Sequence, residues 1–186
     1  MNLWHRVNPK SITPENFLAC IEIPKGSKNK YELDKYSGAL KLDRILYTST
    51  HYPQNYGFIP RTLSEDGDPL DVLVICSEPI VSLALVECYP IGVLEMVDSG
   101  DRDTKILAVA KNDPVFNSIT ELKQVPGHLL DEIRHFFKVY KELEGKVTTV
   151  QDQFHGRSLA VKEIEKCINA YLEKFGEDPV LEYKKK

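Results

Sequence analysis

The chain has 186 residues, of which 42% are hydrophobic and 28% charged, and its formal net charge is −4. That is enough for one compact domain with a real core, here taken as residues 1–186, and short for two. The acidic balance argues against a general nucleic-acid binder, which carries a basic excess, and no apolar run approaches the ~20 residues that span a bilayer.

The opening "MNLWHRVNPK" lacks the apolar core and small-residue cleavage site of a secretory leader. Cys20, Cys76, Cys88 and Cys167 are scattered without C-x-x-C spacing. Three of the four fall in apolar strand-like runs, where a free cysteine packs as a small hydrophobe. These features predict a reduced, cytoplasmic protein with no thiol metal site and no membrane partner.

"FLACIEI" is the first predicted strand, with apolar residues around Cys20 and Glu22. "NKYEL" continues an extended pattern, and a "KYSG" turn leads into "ALKLDRILY", so these two segments are expected to form a hairpin. The Tyr-, Pro- and Gly-rich "HYPQNYGFIP" reads as a rigid, irregular connection that displays Tyr52 and Tyr56. "DVLVICS", the long "ALVECYPIGVLEMV" and "TKILAVA" are further predicted strands, with a bend or bulge at Pro90 and Gly92.

The period then changes. Leu129, Leu130, Ile133, Phe136, Phe137, Tyr140 and Leu143 follow helical spacing between Gly127 and Gly145. A second helix through "SLAVKEIEKCINAYLEKFG" is expected to bury Leu159, Ile164, Ile168 and Leu172 and to stop near Gly176. Short strands followed by two helices mean an α+β fold with a curled or closed sheet.

Two acidic clusters carry the chemistry. "EDGDPLDVLVI" crowds Asp66, Asp68 and Asp71 against a strand start, and "EMVDSGDRDTKILAV" places Asp98, Asp101 and Asp103 between two apolar strands. Like charges this close repel and raise one another's pKa unless a cation sits among them. Either cluster alone is also good turn chemistry. An EF-hand is excluded, since Leu70, Asp71 and Ser77 stand where its loop needs an acid or amide, a Gly and a Glu. Converging from neighbouring strands, the clusters would offer the all-carboxylate set of a hard cation, Mg²⁺ or Mn²⁺ rather than zinc. Scattered Lys30, Arg44, Lys105, Lys141 and tyrosine hydroxyls are what a polyanionic phosphate needs beside such a cation, or are solvated surface groups. No nucleotide cradle of the G-x-x-x-x-G-K-[ST] or G-x-G-x-x-G type is present.

"DGDPLDVL" resembles the signature of the soluble family I inorganic pyrophosphatases, D-[SGDN]-D-[PE]-[LIVMF]-D-[LIVMGAC], at every position from Asp66 to Val72. The similarity continues in order through "IEIPKGSKNKYELDKYSGAL", "HYPQNYGFIPRTL", "YPIGVLEMVDSGDRDTKILAV" and "HFFKVYKELEGK". The resemblance implies a five-stranded OB-type β-barrel with two main helices, and hydrolysis of pyrophosphate with Mg²⁺, for which Mn²⁺ can substitute. It also implies roles. Asp66, Asp71 and Asp103 are expected to bind the tighter metal, Asp98 and Asp103 a further one, and Glu22 and Glu32 form the outer acidic ring. Asp68 is the expected general base, and Lys30, Arg44, Tyr56, Lys105, Tyr140 and Lys141 grip the phosphoryl groups, with Tyr52 lining the same pocket. Ser99 stands where many bacterial relatives carry an acid. The short chain resembles the bacterial form, for which a homohexamer is expected, with pyrophosphate rather than nucleic acid as the partner.

Overall fold

The structure, a computed structural model, describes residues 2–98, 100–146 and 148–177; the side chains of Asp98, Asp101 and Asp152 also lie outside the described part. Its elements run α1 (Leu3–Arg6), β1 (Phe17–Ile23), β2 (Asn29–Leu33), β3 (Leu40–Ile45), β4 (Asn55–Phe58), β5 (Asp71–Ile75), β6 (Leu85–Asp98), β7 (Asp101–Ala110), α2 (Gly127–Val139), β8 (Thr148–Gly156) and α3 (Arg157–Phe175). Strands pair in the order β1-β4-β5-β7-β6-β8, and β1 also pairs with β6. Five strands therefore form a closed ring, with β8 attached outside it and β2–β3 as a separate antiparallel hairpin.

Strand β6 makes the closure by serving several partners. Residues 85–88 pair with β1 and residues 92–98 with β8, on either side of Pro90, which has no N–H to donate. The register against β7 shifts between Pro90 and Gly92, so the expected bulge is present. Gly57 allows another close approach. A Cβ there would stand 1.9 Å from the Cys20 carbonyl oxygen on β1.

Two-residue alternation divides the strand side chains between two cores. Val72, Val74, Ile106 and Ala108 join Ala160, Ile164 and Cys167 of α3. Their neighbours Leu73, Ile75, Leu107 and Val109 join Ile133, Phe136 and Phe137 of α2. Such two-sided burial explains why these strands read as continuous apolar runs. All four cysteines are buried and free.

Three expectations need correction. The "irregular" Tyr-rich connection contains β4, fully buried between β1 and β5. The helical last third contains β8, whose pairing partner β6 lies far away in sequence. Leu143 and Leu172, placed on apolar stripes, are 66% and 39% exposed. The first falls in a 3-10 turn beyond the end of α2, where the α-helical period no longer applies.

Candidate active site

Among the antiparallel pairs of the ring, β5 and β7 run parallel. Parallel neighbours begin at the same end of a sheet, and here Asp71 stands opposite Lys105. The loop carrying Asp66 and Asp68 precedes β5, while Asp103 lies two residues before Lys105 on the same face of β7. Two acidic segments distant in sequence thus meet at one place.

They meet around a cavity of about 330 Å³. Among the described residues its wall carries six carboxylates, Glu22, Glu32, Asp66, Asp68, Asp71 and Asp103, and four lysines, Lys30, Lys35, Lys105 and Lys141. Tyr31, Tyr56 and Tyr140 add hydroxyl-bearing rings, and Trp4, Leu33 and Phe58 add apolar wall. Arg44 and Tyr52 stand outside that lining. Arg44 lies opposite Lys30 in the β2–β3 hairpin, and Tyr52 packs behind Tyr56 and against Phe136, with ring centroids 5.3 and 4.7 Å away. Of the expected metal ligands, Asp98 is the one whose side chain is not described, as is that of Asp101 in the same cluster; the Asp98 backbone pairs with Asp101 and Thr148.

Lys105 is the centre of this wall. Its buried ammonium contacts Asp71, lies 2.6 Å from Asp103 Oδ1, and sits over the Tyr56 ring at 5.6 Å. Burial opposes its charge, but Asp71 and Asp103 outweigh that and hold its pKa above the usual lysine value. Burial also pushes the Asp66 and Asp103 carboxyls up, and Asp71 adds to the rise in both, while Lys105 opposes it. Burial, then the nearby Asp71 and Asp103 carboxylates, raises the Tyr56 phenol well above normal. Glu22 is buried and accepts from Leu33 N at 2.6 Å; burial first, then Asp71 and Glu32, pushes its pKa up to about 8.

Asp43 accepts from Lys30 at 3.2 Å and also from Arg44 Nη1, while Arg44 Nε donates to Glu144 at 2.8 Å. The remaining guanidinium nitrogen, Nη2, is buried with no partner among the described residues. A buried charged donor left unpaired costs free energy, which an anionic acceptor would recover. Lys141 lies over the ring of Tyr140, itself stacked on Phe136.

Such a donor set suits a hard divalent cation: carboxylates in excess, with no imidazole or thiol in the lining. Among the described residues no three of these groups already form a ligand set, because Asp71 and Asp103 turn to Lys105 instead.

A family model for inorganic pyrophosphatase matches residues 19–172. The chain belongs to the inorganic pyrophosphatase family. It is 49% identical to soluble inorganic pyrophosphatase 2 of Chlamydomonas reinhardtii over 173 residues, covering 92% of this chain and 89% of that protein. Soluble inorganic pyrophosphatase PPA1 of Solanum tuberosum is 48% identical over 170 residues, covering 91% and 80%. The fold matches the crystal structure of inorganic pyrophosphatase from Thermus thermophilus with a TM-score of 0.86 at 41% identity, over 92% of this chain and 99% of that one. That from Helicobacter pylori matches at 0.83 and 42%, over 87% and 96%. The family segment spans every residue from Glu22 to Lys141 discussed above and leaves Trp4 outside it.

Reasoning from sequence missed Trp4, Tyr31, Lys35, Asp43 and Glu144. Tyr31 and Asp43 sit inside segments that had been singled out, and alternation from Lys30 was a usable signal for neither. Trp4 and Glu144 reach the site or its partners only through tertiary packing.

Proposed function

We propose that this protein hydrolyses inorganic pyrophosphate to two phosphates, using water and a divalent cation, Mg²⁺ with Mn²⁺ as substitute. The observation that carries this reading is the meeting of the two acidic segments in one cavity that also holds four lysines. Carboxylates alone suit a cation and lysines alone an anion; the two together suit a metal–phosphate complex.

Asp66, Asp71 and Asp103 would hold the cation, with Asp98 beside Asp103 for a further one and Glu22 and Glu32 as outer carboxylates. When bound, it supplies positive charge to the phosphoryl oxygens and lowers the pKa of water. Asp68 accepts a proton from the attacking water as the oxygen–phosphorus bond forms and the bridging phosphorus–oxygen bond breaks. Lys30, Lys105, Lys141 and Arg44 Nη2 bind phosphoryl oxygens and take up the charge that develops on them. The Tyr56 hydroxyl, whose phenol burial and Asp71 hold well above normal, and the Tyr140 hydroxyl serve as donors, and Tyr52 supports Tyr56 from behind.

The closed ring of five strands is read as an OB-type barrel within a single domain over residues 1–186. Four buried, free thiols favour the cytoplasm. Among the described residues no helix is long and apolar enough to cross a membrane. A length that covers 99% of the Thermus chain favours the homohexamer expected of the short form.

Phosphate release from pyrophosphate tests the function. Turnover with Mg²⁺ should disappear in EDTA, exceed turnover of ATP, and fall by roughly a hundredfold or more in Asp68→Asn. A wild-type protein that releases no phosphate from pyrophosphate with Mg²⁺ present would end the proposal.

A further inference from the structure

Lys35 lies in the connection of the β2–β3 hairpin, and its Nζ pairs with Oδ1 of Asp68. The same ammonium lies 5.9 Å from the centroid of the Trp4 ring. Its backbone is held as well, since Asn2 Nδ2 donates to the Lys35 carbonyl at 2.7 Å. Asn2 in turn caps α1 by accepting from Trp4 N at 3.0 Å, and Trp4 Nε1 donates to the Thr62 carbonyl at 2.8 Å. The N-terminal segment therefore grips Lys35 through main chain and ring, and Lys35 grips Asp68.

Stability does not explain this arrangement. Both partners are half-exposed, and solvent screening leaves an ion pair of that kind little net effect on stability. Orientation does. The Asp68 backbone is already fixed, its N–H donating to Asp66 Oδ1 at 2.9 Å and its carbonyl accepting from Ser64 N at 2.7 Å. Rotation of the carboxylate is the freedom that remains, beside the like charge of Asp66. A cation on Oδ1 sets that rotation and leaves Oδ2 to accept a proton.

We propose that Lys35 is a positioning residue: held by Asn2 and Trp4, it fixes the Asp68 carboxylate in the orientation from which it takes the proton of the attacking water. This rests on the reading of Asp68 as general base given above.

The test is a double-mutant cycle in the full-length protein with magnesium pyrophosphate. Lys35→Met keeps an unbranched side chain of similar length and removes the charge. It should lower kcat about tenfold with KM changed less than about twofold, and Lys35→Arg should recover most of the loss. In an Asp68→Asn background the same Lys35→Met change should cost less than about twofold, because its target is already gone. An equal loss in both backgrounds would show that Lys35 acts elsewhere and would overturn the proposal. So would wild-type kcat in Lys35→Met when Asp68→Asn is crippled, an outcome that leaves the pyrophosphatase reading standing. An inactive wild type would remove both. A second readout needs no turnover. Trp4 is the only tryptophan in the chain, so losing the ammonium near its ring should alter its fluorescence, and identical emission from wild type and Lys35→Met would refute the contact.

Discussion

Lys105 stands opposite Asp71 in the parallel β5–β7 pair, and its ammonium lies between the carboxylates of Asp71 and Asp103. One buried cation thus joins the two acidic segments. Lys105→Met would leave both carboxylates without it, in a wall where Asp66 already adds like charge. Asp71 and Asp103 keep some exposure, so a loss of about 2–3 kcal/mol is expected rather than the full cost of a broken buried pair. Urea denaturation in EDTA should show this loss, and added Mg²⁺ should restore part of it as the carboxylates turn to the divalent ion.

Arg44 offers a test of anion binding that is separate from the lysines. Its Nε and Nη1 are engaged by Glu144 and Asp43, and Nη2 is a buried donor with no partner among the described residues. Arg44→Lys keeps the charge and loses the fork. Losing one charge-assisted hydrogen bond to substrate should raise KM for pyrophosphate about tenfold, with a smaller effect on kcat. Steady-state kinetics would check it, and an unchanged KM would exclude Nη2 as a substrate donor.

Gly57→Ala probes how the ring fixes Tyr56. The new Cβ would meet the Cys20 carbonyl oxygen at 1.9 Å and the Ile21 Cα at 2.9 Å, both backbone atoms that cannot rotate away. Strands β1 and β4 would have to separate, at a cost of about 3–4 kcal/mol. A lowered midpoint in urea and reduced turnover should appear together, because Tyr56 and Phe58 flank the substitution.

His5 sets an acid limit on stability. It is buried beside Trp4, Tyr171 and Phe175, with Nδ1 2.7 Å from the Tyr171 hydroxyl. Burial, then the charges of Arg61 and Arg6, pushes its pKa down from 6.5 to about 4. Between those values the unfolded chain binds a proton that the folded chain refuses. This contribution is complete above pH 6.5, declines as pH falls toward 4 and is flat below, amounting to about 3 kcal/mol. Urea melts across that window should show a steeper decline for wild type than for His5→Gln.

Much of this fold was legible from local pattern. The strand around Cys20, the β2–β3 hairpin, the shift at Pro90 and Gly92, and the two longer helices all follow from periodicity and turn residues. Strand β4 was not, because four residues between Pro53 and Pro60 offer no alternation and their burial comes from β1 and β5. Strand β8 mixes polar and apolar residues between two helices and is defined by its pairing to β6. The acidic segments could be found one by one. Their meeting could not, since it depends on β5 and β7 pairing in parallel although β6 stands between them in sequence. The resemblance to a family supplied that link, and it gave no hint of Lys35 or of the N-terminal segment that holds it.

Closing the ring by joining β1 to β6 also has a kinetic meaning. Glu22, Asp71 and Asp103 come from three of the five ring strands, so their gathering waits on contacts far apart along the chain. If that assembly completes only after the folding barrier, a divalent ion bound there acts as a late latch. It prolongs the lifetime of the native molecule and leaves the speed of its formation unchanged.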